Sequence, residues 1–405
     1  MSEGESEGNS AFSESDTSSL YSESSTIVYE HESFETFRHK AHDLFTILFP
    51  NEESIAVYRM AGGSFHRIVG ATVTSDVAVT QREVILRIPR FLYLRLADEV
   101  AVLNYLTDHT TIPVPHVLCF DLSSENQIGS PYILQSHVPG KRLHSIYPTL
   151  PFEKKKAVIR EVAQLLKQFN DITFSTIGML VAGNPECTEV KIDQAWDYAE
   201  DIFPREDDPR PPAQSNSTRS FLEERWSFHL EEEERCGPSS RSEISYITAF
   251  RKLTEGLQLP NIDTPARIVL FHTDFAPRNI FVDEETGDIT GVLDWDRAES
   301  AVVEAAWTMP AWLWDKDSTG SDLLSWVDPD EIPDDPTAQK LRTFFIQEIG
   351  NLIPSYVEVI RENKILHEIL LFARLGLRSQ PMIERASKFL KDKIPDFEQL
   401  QLVEL

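Results

Sequence analysis

The sequence predicts a mixed α+β protein of two lobes, a small β-rich one followed by a larger helix-rich one. Three observations carry that prediction. Short runs of β-type residues fill positions 55–90 and 116–138, helical periodicity dominates beyond 150, and a turn-rich step at His137 to Gly140 separates the two regions. At 405 residues the chain is long enough for two well-formed cores, and its 41% hydrophobic and 26% charged content is that of a soluble globular protein.

Residues 1–37 hold nine Asp or Glu, eleven Ser and no Lys or Arg. Such a segment cannot bury enough apolar surface to offset its ordering entropy, so it reads as a disordered acidic tail. Order is expected to begin near SFETFRHKAHDLFTILF, whose apolar residues recur at helical spacing. SIAVYRM, a Gly-Gly break, FHRIVGATVT and REVILRIPR then read as a small antiparallel sheet. ADEVAVLNYLTDH reads as a helix that Pro113 and Pro115 stop, and HVLCFDL and SPYILQSHV read as strands around a polar turn. The first lobe thus spans 38–138 and the second 139–405. In the second, FEKKKAVIREVAQLLKQFND opens a helical series, and strands are expected only in IVLFHTD, NIFVD and DITGVLDW. Acidic, Pro-rich passages at 199–215 and in WVDPDEIPDDP read as surface loops or insertions.

A net charge of −28 repels phosphate backbones and anionic lipid, so neither nucleic acid nor membrane is expected as a partner. The three cysteines, Cys119, Cys187 and Cys236, have no metal-type spacing and fit a reducing compartment. No run approaches the ~20 uninterrupted apolar residues of a membrane span, and MSEGESEGNS has neither a basic start nor an apolar core. A cytoplasmic protein is expected. The sequence does not indicate an oligomeric state.

The chemistry concentrates in FHTDFAPRNIFVD and the stretch that follows it. NIFV and ITGVL are apolar runs joined by DEETGD, a hairpin signal with Gly287 at the turn. A hairpin brings its ends together, so Asn279 at its start and Asp294 at its exit are expected to point into one small volume. An amide oxygen and a carboxylate make a weak oxygen-only site of the kind that holds Mg²⁺ together with phosphate oxygens. Asp274, just before the hairpin, is placed to accept a proton from a hydroxyl beside that metal. This is the division of labour that phosphoryl transfer needs. The competing reading is a polar turn between buried strands, because H-x-D-x-x-x-x-N alone is a weak motif.

The first lobe adds to it. Gly62, Gly63 and Ser64 lie between two strands, where backbone N–H groups could approach phosphate oxygens, although a Gly-Gly turn is more often structural. Arg87 lies among β-type apolar residues in VILRIP and needs a partner, for which Glu99 in the following helix is the candidate. Together they would orient a nucleotide's phosphates. The alternative is a charge on the solvent face of an edge strand.

AGGSFHRIVG, VILRIPR, DEVAVLNYL, IPVPHVLCFD, SPYILQSHVPG, FHTDFAPRNIFVD and GVLDWDRAE, in this order, resemble the aminoglycoside phosphotransferase-like family of protein-kinase-like enzymes, especially its fungal members without assigned substrates. The likeness covers about 40–315 and implies a bilobal protein-kinase-like α+β fold with a catalytic hairpin. It implies Asp274 as catalytic base, Asn279 and Asp294 as Mg²⁺ ligands, and Arg87, paired with Glu99, as the phosphate contact. It also implies a hinge at Gln135, Ser136 and His137 whose backbone binds adenine, and His272 as a prop for the loop. The pattern departs from the family in four places. Thr273 replaces a common glycine, Arg87 stands where protein kinases have Lys, and His66 is bulky for its loop. The aspartate usually found downstream of Asp294 is missing, with Glu304 the candidate to stand in for it.

The activity expected is ATP- and Mg²⁺-dependent transfer of a γ-phosphoryl group to a hydroxyl of a small molecule. The absence of Asp-Phe-Gly and Ala-Pro-Glu argues against a protein kinase, and the absence of G-x-x-x-x-G-K-[ST] against a P-loop enzyme. Acidic residues Asp197, Glu200, Asp201 and the run Glu231 to Glu234 could receive a cationic group on the acceptor, although for that run a solvated helix face is the stronger reading. The alternative function is a catalytically silent pseudokinase scaffold that binds nucleotide.

Overall fold

The computed structural model describes residues 32–60, 65–75, 80–91, 95–194, 213–236, 241–315, 327–377 and 379–394. They form two compact units, one of residues up to Leu96 with Val117–His137, the other of Ala97–His116 with Val138 onward. The class is mixed α+β, a β-sheet region followed by a mainly helical one.

The first unit opens with helix α1 (Phe34–Leu48), whose Ser33 hydroxyl caps the Thr36 N–H. Its buried residues Phe37, Ala41, Leu44 and Phe45 share one face, the spacing of an amphipathic helix. They pack on a five-stranded antiparallel sheet of β1 (Ser54–Arg59), β2 (His66–Ser75), β3 (Thr80–Pro89), β4 (Val117–Asp121) and β5 (Tyr132–Ser136), in the order β1-β2-β3-β5-β4. Val84, Leu86 and Ile88 alternate inward along β3, which sends Arg87 to the other face, half-buried opposite Ile133. β3 is an interior strand, so the edge-strand alternative for Arg87 does not hold.

The second unit begins with α2 (Leu96–His109), which carries the buried Glu99, and continues through β6 (Lys141–Arg142), α3 (Leu143–Ile146) and α4 (Phe152–Asp171). Then come β7 (Thr173–Phe174), β8 (Gly178–Ala182), β9 (Val190–Asp193), α5 (Thr218–Cys236), α6 (Arg241–Gly256), β10 (Ile268–Phe271), β11 (Ile280–Val282), β12 (Ile289–Val292) and β13 (Glu299–Val302). The chain closes with α7 (Val303–Ala306), α8 (Pro336–Leu352), α9 (Tyr356–Glu362), α10 (Lys364–Leu375) and α11 (Gln380–Lys393). β10, β11 and β12 fall where strands were expected. The sequence reading missed β7, β8, β9 and β13, which with β10 form a sheet in the order β7-β10-β13-β8-β9. These strands are two to five residues long and owe their conformation to pairing with distant segments, which leaves no local period to read.

A second, three-stranded sheet, β12-β11-β6, carries the hairpin. Glycine is required where it turns and packs. Gly140 has φ +96°, and a Cβ there would meet the Val282 carbonyl oxygen at 2.4 Å; a Cβ on Gly291 would meet Val138 Cγ1 at 2.3 Å. One core, around Val158, Ile159, Val269, Ile280, Trp307 and Phe345, packs α4, α8 and β10 beneath the hairpin. A second, around Trp226, Phe250 and Phe372, joins α5, α6, α10 and α11.

Candidate active site

β10 is buried on both faces until it reaches Phe271, and it delivers His272 into a nearly dry environment, 2% exposed. The chain then turns through Pro277–Asn279, a single 3-10 turn that Pro277 starts with its fixed φ. In that turn the Asn279 N–H donates to the Ala276 carbonyl at 2.9 Å.

The hairpin exit is fastened to both ends of this loop. The Leu293 N–H donates to the Asn279 carbonyl at 2.8 Å, and the Leu293 carbonyl accepts from His272 Nε2 at 2.9 Å. Asp294 follows directly, so it is carried alongside Asn279. Asp294 has φ +70°, left-handed backbone that a short polar side chain tolerates better than most and that still costs about 1–3 kcal/mol. Trp295 anchors the exit: it is 1% exposed, its indole N–H donates to the Val292 carbonyl at 2.9 Å, and its ring lies 4.6 Å from that of His272.

His272 is a support. Its Nδ1 accepts the Asp274 N–H at 3.1 Å, so the ring's proton sits on Nε2 and donates to Leu293. Burial holds the imidazole below its ordinary value, against the opposing pull of the Leu293 carbonyl and the charges of Asp294 and Asp274. A neutral ring with both nitrogens engaged has no capacity left for proton transfer.

Asp274 is gripped from two sides. Asn279 Nδ2 donates to Asp274 Oδ2 at 2.8 Å and to its backbone carbonyl at 3.0 Å, while Arg278 Nη2 forms an ion pair with Oδ1. Because Nδ2 is spent twice, the amide orientation of Asn279 is fixed and its Oδ1 is the atom left for a cation. This donor set, one amide oxygen beside one carboxylate, fits Mg²⁺, which takes few protein ligands and keeps waters or phosphate oxygens. Among the described residues there is no cluster of three His, Cys, Asp or Glu side chains that could hold a metal.

Two arginines, Arg142 and Arg278, bring positive charge to this centre in a strongly acidic protein, with His144 near them. Burial lowers the Arg142 guanidinium and Asp294 pulls it back up. His144 is lowered by burial and then by the charges of Arg142 and Arg278. The sequence reading picked none of these three. Arg278 was open to detection, since i,i+4 spacing from Asp274 within a turn brings the two side chains together. Arg142 gave no local signal, because β6 reaches the site by pairing with β11, Arg142 opposite Phe281.

The remaining expected residues are placed as follows. Gly62, Gly63, Ser64, Asp197, Glu200 and Asp201 lie outside the described residues. Arg87 is on β3 and Glu99 on α2. Gln135 is buried on β5 opposite Ile85, and Ser136 lies opposite Val84. His137 N–H donates to the Glu83 carbonyl at 3.3 Å and its ring lies 3.1 Å from the Glu83 carboxylate, so that amide is already engaged. Glu304 does not brace the loop. Its nearest backbone bond is to its own amide, its Oε2 is buried without a partner, and burial raises its carboxyl above the usual range. In the run Glu231 to Glu234, Glu232 and Glu233 are 6% exposed each, so the run does not form one solvated face.

The loop thus presents a buried histidine, a carboxylate held by an asparagine, and a second carboxylate at a hairpin exit. The chain belongs to the phosphotransferase enzyme family (APH), whose profile matches residues 70–334. A subtelomeric hrmA-associated cluster protein of Aspergillus fumigatus is 30% identical over 128 residues, 31% of this chain and 24% of that protein. Altered inheritance of mitochondria protein 9, mitochondrial, of Candida tropicalis is 31% identical over 132 residues, 29% of this chain and 20% of that protein. The matches thus span about a quarter or less of those relatives' length. Among solved structures, the streptomycin–ATP–APH(2")-IIa ternary complex has a TM-score of 0.47 at 12% identity, over 88% of this chain and 97% of that one. ADP-bound APH(2'')-Ib has 0.47 at 13%, over 86% and 96%. The cytoplasmic expectation is overturned, since the Candida, Zygosaccharomyces and Eremothecium relatives carry mitochondrial names. No helix among the described residues is long and apolar enough to cross a membrane.

Proposed function

We propose that the protein is an ATP- and Mg²⁺-dependent kinase of a small hydroxyl compound. The observation that carries this reading is the fastening of the Leu293 backbone to His272 and to the Asn279 carbonyl, one residue before Asp294, while the Asn279 amide holds Asp274.

Asp274 orients the acceptor hydroxyl and takes its proton as the oxygen attacks the γ-phosphorus. The new O–P bond forms as the bond between that phosphorus and the β,γ-bridging oxygen breaks, and ADP leaves. Asn279 Oδ1 and the Asp294 carboxylate are the groups that would hold Mg²⁺, whose chemistry is to neutralise the phosphate oxygens. Arg87 is assigned to the phosphates and the 135–137 segment to the adenine, in keeping with the family resemblance. ATP- and ADP-bound proteins of similar fold are in keeping with nucleotide use. A mitochondrial address, taken from the names of the fungal relatives, is part of the same proposal, and subcellular fractionation tests it.

A second reading, a silent nucleotide-binding scaffold, draws on two observations: Glu304 leaves the loop unbraced, and the Arg278 ion pair occupies one oxygen of Asp274. Measurement of Mg-ATP binding alongside ADP formation separates the two. The kinase gives both, the scaffold only binding.

A further inference from the structure

Three arginines meet at one rim of the first unit's sheet, away from the candidate active site residues. Paired residues share a face and side chains alternate along a strand. Arg59 stands opposite Val69, Arg67 opposite Ile88, and Arg90 lies two residues beyond Ile88. Val69 and Ile88 belong to the core that α1 covers, so all three arginines end on that face, where β1 and β3 finish and β2 begins. Arg67 confirms the placement, its guanidinium lying 3.8 Å from the ring centroid of Phe37 on α1. Each of the three is half-buried and keeps surface open to solvent.

The opposite rim of the same face is built alike but carries its own counter-charge. There Arg82 lies over Phe49, and its Nη2 meets Glu52 Oε1 at 2.9 Å. Arg67 instead donates to the Glu32 backbone carbonyl at 3.1 Å, while the Glu32 carboxylate is held by Lys40 at 2.7 Å. Arg59 forms no ion pair among the described residues. Burial holds the Arg67 guanidinium down to about 10, with Glu32 opposing and Arg90 and Arg59 lowering it further, so the rim is short of negative charge.

Glu32 is also the first described residue, and residues 1–31 just before it carry seven Asp or Glu and no Lys or Arg. A separate anion must approach a protein of net charge −28, whereas this segment is already joined to the rim. Surface ion pairs are weak one by one, but tethering sets an effective concentration on the order of millimolar. We propose that the rim formed by Arg59, Arg67 and Arg90 is the docking surface for the acidic segment 1–31 of this same chain.

The test follows cleavage of the purified full chain after Glu23 and Glu30 by a glutamyl endopeptidase, timed by mass spectrometry against an added reference peptide. At 20 mM salt the unaltered chain should be cut at least about fivefold more slowly than the double variant Arg59→Gln, Arg90→Gln, because cleavage tracks the undocked population. At 1 M salt, where the screening length falls to about 3 Å, the gap should close. A second variant leaves the folded part untouched: Glu3→Gln, Glu5→Gln, Glu7→Gln, Glu14→Gln and Asp16→Asn together should speed the same two cuts even if the arginine variant folds poorly. Equal rates in the unaltered chain and the amide variant, or a gap that persists at 1 M salt, overturn the proposal. Co-sedimentation of the unaltered chain with phosphatidylserine vesicles, lost in the arginine variant, would assign the rim to a lipid surface and overturns it as well.

Discussion

Asp274 meets Arg278 on one oxygen and Asn279 on the other, so its carboxylate plane is set before any substrate arrives. In the proposed role of base, a carboxylate held in this way needs little reorganisation when a hydroxyl binds. Asp274→Asn keeps the shape and removes the proton acceptor. Turnover should fall by about 10²- to 10⁴-fold while the unfolding midpoint moves little, as steady-state ADP release and denaturant titration would show. His272 plays the opposite part. Its two ring nitrogens tie Asp274 N–H to the Leu293 carbonyl, and its ring packs on Trp295, so its loss removes structure before it removes chemistry. His272→Ala should cost about 3 kcal/mol in stability, read from a denaturant curve, and lower turnover through a loosened loop. At this scale the sequence pointed to Asp274, Asn279 and Asp294 by residue type and spacing, and the structure brings Asp274 and Asn279 into contact. Arg278 stood in the same motif and was passed over. Arg142 reaches the site only by strand pairing and could not be found locally.

Among elements, the hairpin β11–β12 matters most, because its register decides where Asp294 emerges. Ile280 pairs with Val292 and Phe281 with Gly291, with an irregularity after Phe281. Gly291 lets the hairpin lie close against Val138, since any Cβ there would meet Val138 Cγ1 at 2.3 Å. Gly291→Ala should destabilise the protein by about 1–3 kcal/mol and weaken Mg-ATP binding by shifting β12, measurable together by thermal shift with and without Mg-ATP. The hairpin, α1 and the antiparallel sheet of the first unit were legible because each has a period or a turn signal in its own residues. GMLVA and ESAV were not, because five and four residues with no alternation become strands only when β8 and β13 find each other. The same limit misled the reading of Glu304: a matching sequence position suggested a brace, and burial without a partner leaves its carboxyl holding its proton more tightly.

For the whole molecule, acid stability follows from histidines buried in neutral form. His367, whose Nδ1 donates to the Glu304 carbonyl at 2.9 Å, is pushed down to about 4 by burial, with Arg374 and Arg385 also lowering it and Glu368 opposing. His272 is shifted the same way. A depressed histidine contributes stability that is present above its unfolded value of 6.5 and is lost as pH falls through its folded value of about 4. Between pH 7 and pH 4 the loss from His367 is on the order of 3 kcal/mol. Glu304 has the opposite sign: its raised carboxyl stabilises fully below the ordinary value of 4.5 and progressively less as pH rises through its folded value. Denaturant midpoints taken across this range should fall toward acid pH, and His367→Asn, which keeps a donor for the Glu304 carbonyl but cannot ionise, should flatten the fall. If Asp274, Asn279 and Asp294 form one phosphoryl-transfer centre, the purified full chain should form ADP in a Mg²⁺-dependent way, and turnover should fall at least about a hundredfold in Asp274→Asn and in Asp294→Asn; ADP formation in Asp274→Asn equal to that of the unaltered protein would show that no such centre exists.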